Sequence, residues 1–317
     1  MSLPADLTAR PVRMDDLDAV VALFRDVELE LFGEAEDIRS FLEETWNSDW
    51  MDLPTMSRLV VDPAGAVVAF AGLEAVRADE SVDAFIRVHP EHRDHGIGSA
   101  LVAWSEEATA RLIEAGETSL LNSTSAADAA ALRLLRDAGY ERVRTFWHMK
   151  MDLPADLDAG AAPTGVTIRT AIEGRDDADV HEVLMESFRT HFAYVVVGRQ
   201  EWWDHTRRAP GFDPTMILVA ERDGRIVGVC TEFPNGTVGW IGELGVRPEA
   251  QGSGIGKALL RAGLADLARR GFRVAQLNVD AQNETGATRL YASVGMEIWR
   301  EWPVFEKRIA AAVSSRP

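Results

Sequence analysis

The chain carries one stretch of sequence twice, and that repetition constrains its fold more than any other feature. Residues 88–101, Val88-His-Pro-Glu-His-Arg93-Asp-His-Gly96-Ile-Gly98-Ser-Ala-Leu, return as residues 246–259, Val246-Arg-Pro-Glu-Ala-Gln251-Gly-Ser-Gly254-Ile-Gly256-Lys257-Ala-Leu. Further on, residues 121–140 lie without a gap under residues 277–296, with a shared skeleton of Leu, Asn, Ala, Arg, Leu and Gly. Two polar positions differ: Asn283 faces Ala127, and Tyr291 faces Leu135. A repeat of this length means two copies of one folded unit. The repeated piece reads as a strand end, a tight loop opening on Arg or Gln and closing on Gly-x-Gly, and a helix start.

With 317 residues, 46% of them hydrophobic, each copy is long enough to bury a core of its own. No apolar run approaches the roughly 20 residues that span a bilayer, and the N-terminus lacks the pattern of a secretory signal. A single cysteine, Cys230, allows no internal disulfide and sits in an apolar run, so it reads as a small core residue of a cytoplasmic protein. Residues 1–158 carry 14 Lys and Arg against 31 Asp and Glu, a balance of −17, while the remainder carry 19 against 20. That acidity argues against nucleic acid as a partner. It also makes the first copy the poorer host for a multiply anionic ligand, although most of these acids serve solubility. The seven histidines show no metal-ligand spacing, so no metal is expected.

Strand and helix patterns alternate in both copies, the signature of an α/β fold. In the second copy, Gly254 to Arg270 places Leu259, Leu260, Leu264 and Leu267 at helical spacing, and Glu284 to Val294 reads as a later helix. Residues 153–165, rich in Pro, Ala, Gly and Asp, show no apolar periodicity and read as a linker. The expected domains are therefore residues 1–152 and 166–317. The loop is neither a P-loop, which needs four residues between Gly and Gly-Lys-Ser/Thr, nor a dinucleotide Gly-x-Gly-x-x-Gly fingerprint. Its Gln/Arg-x-x-Gly-x-Gly pattern gathers backbone N–H groups into one concavity at a helix N-terminus, where a pyrophosphate binds well.

On these motifs the chain resembles the GNAT (GCN5-related N-acetyltransferase) family in tandem form, and more closely its actinobacterial double-domain members of the mycothiol synthase type. The resemblance covers nearly the whole chain. It implies two GNAT domains, each a mixed, mostly antiparallel sheet flanked by helices, and acetyl-CoA as co-substrate. It implies that Leu244 and Val246 offer backbone groups to the pantetheine arm, and that Gln251, Gly252, Ser253, Gly254, Ile255, Gly256 and Lys257 cradle the pyrophosphate. Asn283 would bond the pantetheine, or cap the following helix, or both. Tyr291 would protonate the departing thiolate; the alternative is a buried aromatic with a satisfied hydroxyl.

Acetyl transfer needs a neutral amine, so a base must take the ammonium proton. Glu243, in an apolar strand just before Leu244, is the first candidate, with Glu232 and Asp280 behind it; the alternative for Glu243 is an ordinary outward-facing position. Trp202 and Trp203, with His191, Phe192 and Tyr194, lie where the family lines its acceptor site. The first copy keeps a second set of cofactor positions in Ile86, Val88, Arg93, Gly96 and Gly98. It has Ala127, Leu135 and Ser99 in place of Asn283, Tyr291 and Lys257, so it is expected to be catalytically silent. The expected function is direct acetyl transfer to the amine of a small molecule, with a mycothiol precursor among the candidates, by a monomer packed as an internal pseudo-dimer. The rival class is a non-catalytic CoA-binding or sensing protein.

Overall fold

A computed structural model describes residues 3–75, 77–192, 194–209, 211–283 and 285–312. In the first half of the chain the apolar runs form strands β1 (Thr8–Arg10), β2 (Ser57–Val61), β3 (Val67–Glu74), β4 (Ser81–Val88), β5 (Glu117–Ser123) and β6 (Glu141–Asp152). The helices between them are α1 (Leu17–Phe32), α2 (Arg39–Trp46), α3 (Leu53–Met56), α4 (Ile97–Leu112) and α5 (Ala129–Asp137). The second half repeats the order with β7 (Val166–Thr170), β8 (Ile217–Arg222), β9 (Arg225–Asn235), β10 (Val238–Val246), β11 (Val274–Asp280) and β12 (Glu297–Ala310). Its helices are α6 (Asp177–Phe188), α7 (Arg199–Arg208), α8 (Ile255–Arg269) and α9 (Ala287–Ala292). The helix expected from Glu284 is shorter than its apolar pattern and starts at Ala287; Glu284 itself lies outside the described residues.

These elements form two compact units whose borders differ from those of the sequence copies. Unit 1 holds the described residues up to Thr145 and those from Glu301 onward, and unit 2 runs from Phe146 to Arg300. The difference from a division at residues 152 and 166 comes from the closing strands. In unit 1, β5 is completed by β12, antiparallel from Val304↔Ser123 to Ala310↔Glu117. In unit 2, β11 is completed by β6, from Val274↔Asp152 to Asp280↔Phe146. Each copy thus ends on a strand that finishes the other unit's sheet. The two closing strands follow equivalent helices and meet equivalent edges, so alternation alone cannot assign a strand to its neighbour. The stretch expected as a linker is also anchored within unit 2: Leu153 N–H donates to the Arg273 carbonyl at 2.8 Å, and Leu153 is buried in the core.

Each unit has helices on both faces of its sheet. In unit 2, Leu259, Leu260, Leu264 and Leu267 of α8 are all at most 2% exposed against β8–β11, as their spacing requires. Burial of each such side chain is worth about 1.5–3 kcal/mol, which pins the helix start, and the loop before it, to the sheet. On the opposite face Val180, Val183 and Leu184 of α6 pack with Trp202 and Trp203 of α7. Cys230 is fully buried, as its apolar setting predicts.

Candidate active site

In unit 2 two neighbouring strands separate and leave a wedge. Parallel strands β10 and β11 pair only at Gly239↔Ala275 and Trp240↔Gln276. Beyond that point β10 stays with β9 as far as Val246↔Gly228, and β11 stays with β6 as far as Phe146. A bulge between Ile241 and Leu244 turns β10 away from β11 at this place. Gly242 permits it, because a Cβ there would stand 2.8 Å from Thr231 Oγ1 and 3.0 Å from the Phe233 ring. The wedge opens into a cavity of ≈ 430 Å³.

One end of the cavity is the loop from Gln251 to Lys257. Gly252 and Gly254 adopt φ of 72° and 83°, left-handed values that fold the loop back onto the start of α8. Among the described residues, the backbone N–H groups of Gly252 to Lys257 donate no hydrogen bond, as is usual for the opening turn of a helix. Together with the helix dipole they form a pocket for an anion. Lys257 also borders the cavity, its Nζ 3.4 Å from the Ser293 carbonyl.

The other end carries ionisable groups. Tyr291, 8% exposed on α9, borders the cavity; burial, with Cys230 nearby, pushes its hydroxyl above the usual tyrosine range and keeps it protonated. Glu243 occupies the bulge. Its N–H donates to Thr231 Oγ1 at 2.7 Å, and its carboxylate accepts from the Tyr194 hydroxyl at 3.1 Å. Burial pushes the Glu243 carboxyl up, opposed by hydrogen bonds from Tyr194 and the Trp202 indole. His191, stacked edge-on against Phe188 at 4.5 Å, is pushed down by burial, with the charge of Asp280 acting against this. A protected acid and a carboxylate of raised basicity beside one cleft suit proton transfer in both directions.

The acetyltransferase (GNAT) family pattern matches residues 19–140 and 178–296. The chain belongs to the GNAT acetyltransferase family. This GNAT protein is 36% identical over 240 residues to a mycothiol acetyltransferase of Streptomyces griseus, covering 75% of each chain. It is 32% identical over 297 residues to one of Thermobispora bispora, covering 90% of this chain and 93% of that one. Among solved structures, a GCN5-related N-acetyltransferase from Sphaerobacter thermophilus superposes with a TM-score of 0.87 at 30% identity over 98% of both chains. A tandem GNAT protein from the clavulanic acid biosynthesis pathway gives 0.75 at 17% identity, a likeness of fold. The chain is an N-acetyltransferase built from two GNAT units.

The structure gathers most of the positions expected from the GNAT resemblance around the unit 2 cavity: Leu244, Val246, Gln251, Gly252, Gly254, Ile255, Gly256, Lys257, Asn283 and Tyr291 all border it. Ser253 does not; its hydroxyl turns back to the Ala250 carbonyl at 2.5 Å. Asn283 spends its side-chain oxygen locally, accepting from Thr285 N–H at 2.9 Å and Ala287 N–H at 3.4 Å, a cap on the turn into α9. Glu232 is excluded as a base for this cleft. It points to the α8 face, where a Cβ on Gly263 would lie 2.9 Å from its Oε1. Trp202 and Trp203 are core residues rather than cavity walls, whereas His191, Phe192 and Tyr194 are walls. Phe146 was missed, because it sits in the first sequence copy and reaches this cleft only through the exchanged β6.

Unit 1 keeps the outline with different contents. Its cavity is ≈ 190 Å³ and is bordered by Ile86, Val88, Arg93, Gly96 and Gly98. Strand β4 pairs with β3 from Ala69↔Val88 to Glu74↔Asp83 without a bulge. Arg87 stands where unit 2 has Gly245, its guanidinium 5.0 Å from the Phe24 ring and 5.6 Å from the Trp302 ring. The loop arginine, Arg93, is engaged by Glu30 at 2.9 Å and Asp128 at 3.9 Å. Leu135, 3% exposed, borders the cavity at the position of Tyr291. No helix is long and apolar enough to cross a membrane, and no cluster of metal ligands occurs, among the described residues.

Proposed function

We propose that unit 2 moves the acetyl group of acetyl-CoA directly to the amine of a small molecule, and that unit 1 is catalytically silent. The observation that carries this reading is that one cavity joins the N–H-lined loop of α8 to Tyr291 and to Tyr194, whose hydroxyl donates to Glu243. In this reading the loop from Gln251 to Lys257 takes the pyrophosphate, and the exposed edge of β10 at Leu244 and Val246 lies along the pantetheine arm. Glu243 is the base that leaves the acceptor amine neutral. The nitrogen lone pair attacks the thioester carbonyl, the C–S bond breaks as the Tyr291 hydroxyl protonates the leaving sulfur, and the proton that the nitrogen sheds in becoming an amide restores the Tyr291 hydroxyl. No acyl-enzyme intermediate is involved, since Cys230 is fully buried and burial raises its thiol well above the usual range. Similarity to the mycothiol acetyltransferases supports the cysteinyl amine of a mycothiol precursor as the acceptor.

Calorimetric titration of acetyl-CoA against the wild type and Gly254→Glu tests the assignment. The expected result is one site per chain, lost in the variant, together with thiol release on adding a cysteinyl amine. A site that survives in the variant gives unit 1 a role as cofactor holder. Absence of binding refutes the acetyltransferase assignment of unit 2, and binding without thiol release across a panel of amines identifies a sensing protein.

A further inference from the structure

We propose that Tyr194 is a proton relay, taking the proton from the acceptor ammonium and passing its own hydroxyl proton to Glu243. This inference rests on the assignment of Glu243 as the base and adds how the acceptor reaches it. Tyr194 borders the cavity, as do Gly242 and Leu244 on either side of Glu243, whereas the Glu243 side chain does not. The carboxylate lies behind the tyrosine, with the Tyr194 hydroxyl 3.1 Å from Glu243 Oε1. A phenolic oxygen has one proton to give and lone pairs to receive another. Donating to Oε1 leaves those lone pairs for a group in the cleft.

The hydroxyl is held in place from several sides. Phe188 stacks on the Tyr194 ring with centroids 5.3 Å apart, and Met185 Sδ lies 3.9 Å from its oxygen. Glu243 is fixed by its N–H bond to Thr231 Oγ1. In the step, an acceptor N–H proton moves to Tyr194 Oη as the tyrosine proton moves to Glu243 Oε1. The tyrosine therefore ends as it began, Glu243 ends protonated, and the nitrogen holds a lone pair. No oxidant or further reactant is needed. Bulk solvent takes the proton from Glu243 after turnover.

The test is a double-mutant cycle of Tyr194→Phe and Glu243→Gln on the full chain. S-methylcysteine amide serves as the acceptor, thiol release from acetyl-CoA as the readout, and calorimetric acetyl-CoA affinity as the control for folding. Each single variant should lower kcat by about 100-fold or more at unchanged acetyl-CoA affinity, the range of a general base. The double variant should fall no further than the worse single, because both residues serve one proton path. The acid limb of the kcat profile should disappear in both variants. A Tyr194→Phe enzyme close to wild type beside a crippled Glu243→Gln enzyme would overturn the relay and leave the base standing. Losses that multiply in the double variant would also overturn it. An active Glu243→Gln enzyme would instead remove the base assignment, and the relay with it.

Discussion

Glu232 gives a stability experiment whose outcome follows from its surroundings. The side chain is 6% exposed under α8, and neither carboxyl oxygen has a hydrogen-bond partner among the described residues. Burial pushes its pKa from 4.5 to about 9, reinforced by the nearby Asp266 carboxylate, while Arg270 and Arg269 act in the opposite direction. Both arginines are already engaged by Asp266, which limits their help. The native state therefore binds a proton that the unfolded chain releases above its lower pKa. The stabilisation is fully present below about 4.5 and is lost as pH rises towards about 9. Between those values one proton sets a slope of about 1.4 kcal/mol per pH unit, which acts over the two units from pH 5.5 to pH 7.5. Glu232→Gln is neutral at every pH and removes that slope. At about 2–4 °C per kcal/mol for a unit of this size, the wild-type Tm should fall on going from pH 5.5 to 7.5 by about 5–11 °C more than that of the variant. Glu74 and Asp83 of unit 1, pushed by burial to about 7 and about 6, titrate in the same window. They are common to both proteins and cancel in the comparison. Circular dichroism melts at the two pH values supply the four numbers. Equal pH shifts in wild type and variant would show that Glu232 is solvated or paired, and would refute the reasoning.

Tyr291→Phe should lower kcat by about 100-fold while calorimetry shows unchanged acetyl-CoA affinity, the signature of a lost general acid. Gly245→Ala places a Cβ 2.9 Å from Ser187 Oγ and 3.4 Å from Leu184 Cδ2, so it should destabilise unit 2 by about 1–3 kcal/mol in urea unfolding. Asp176 is only 4% exposed, and burial alone would raise its pKa; hydrogen bonds from Arg175, Arg169 and the Ile172 N–H overcome this and hold it well below the usual carboxylate range. Asp176→Asn should therefore cost about 3 kcal/mol at pH 7. That difference should shrink as pH falls through the acid range, where wild-type Asp176 takes up its proton.

The fold class and the loop were legible because they rest on local signals. Glycines at fixed offsets before a periodic helix name the loop wherever it occurs, and Leu259 to Leu267 name the buried face of α8. The positions of Leu244 and Val246 at the wedge followed from the family motif, since a strand that leaves its neighbour looks in sequence like one that does not. What could not be read depends on which side of a sheet a residue takes. Glu232 and Glu243 are both acids in apolar strands; the first lies under α8 and the second in a bulge facing Tyr194. That division is set by the irregular register between Ile241 and Leu244, which no alternation pattern encodes. The pairing of Tyr194 with Glu243 joins residues 49 positions apart through a loop, and nothing in either neighbourhood announces it.

The exchanged strands also fix an order of events during synthesis. Unit 2 is one continuous run, and its last sheet residue leaves the ribosome before residue 301 does. Unit 1, though it is made first, waits with the outer edge of β5 unpaired until Val304 to Ala310 arrive. At about 5–20 residues per second, the interval from Thr145 to Ala310 lasts on the order of 10–30 s. Through that time the open edge of β5 can be capped by a chaperone or by the same strand of a neighbouring chain. A released chain that ends at residue 300 should therefore expose a nearly finished N-terminal sheet while unit 2 folds, and a synthetic peptide of residues 301–312 should close that sheet.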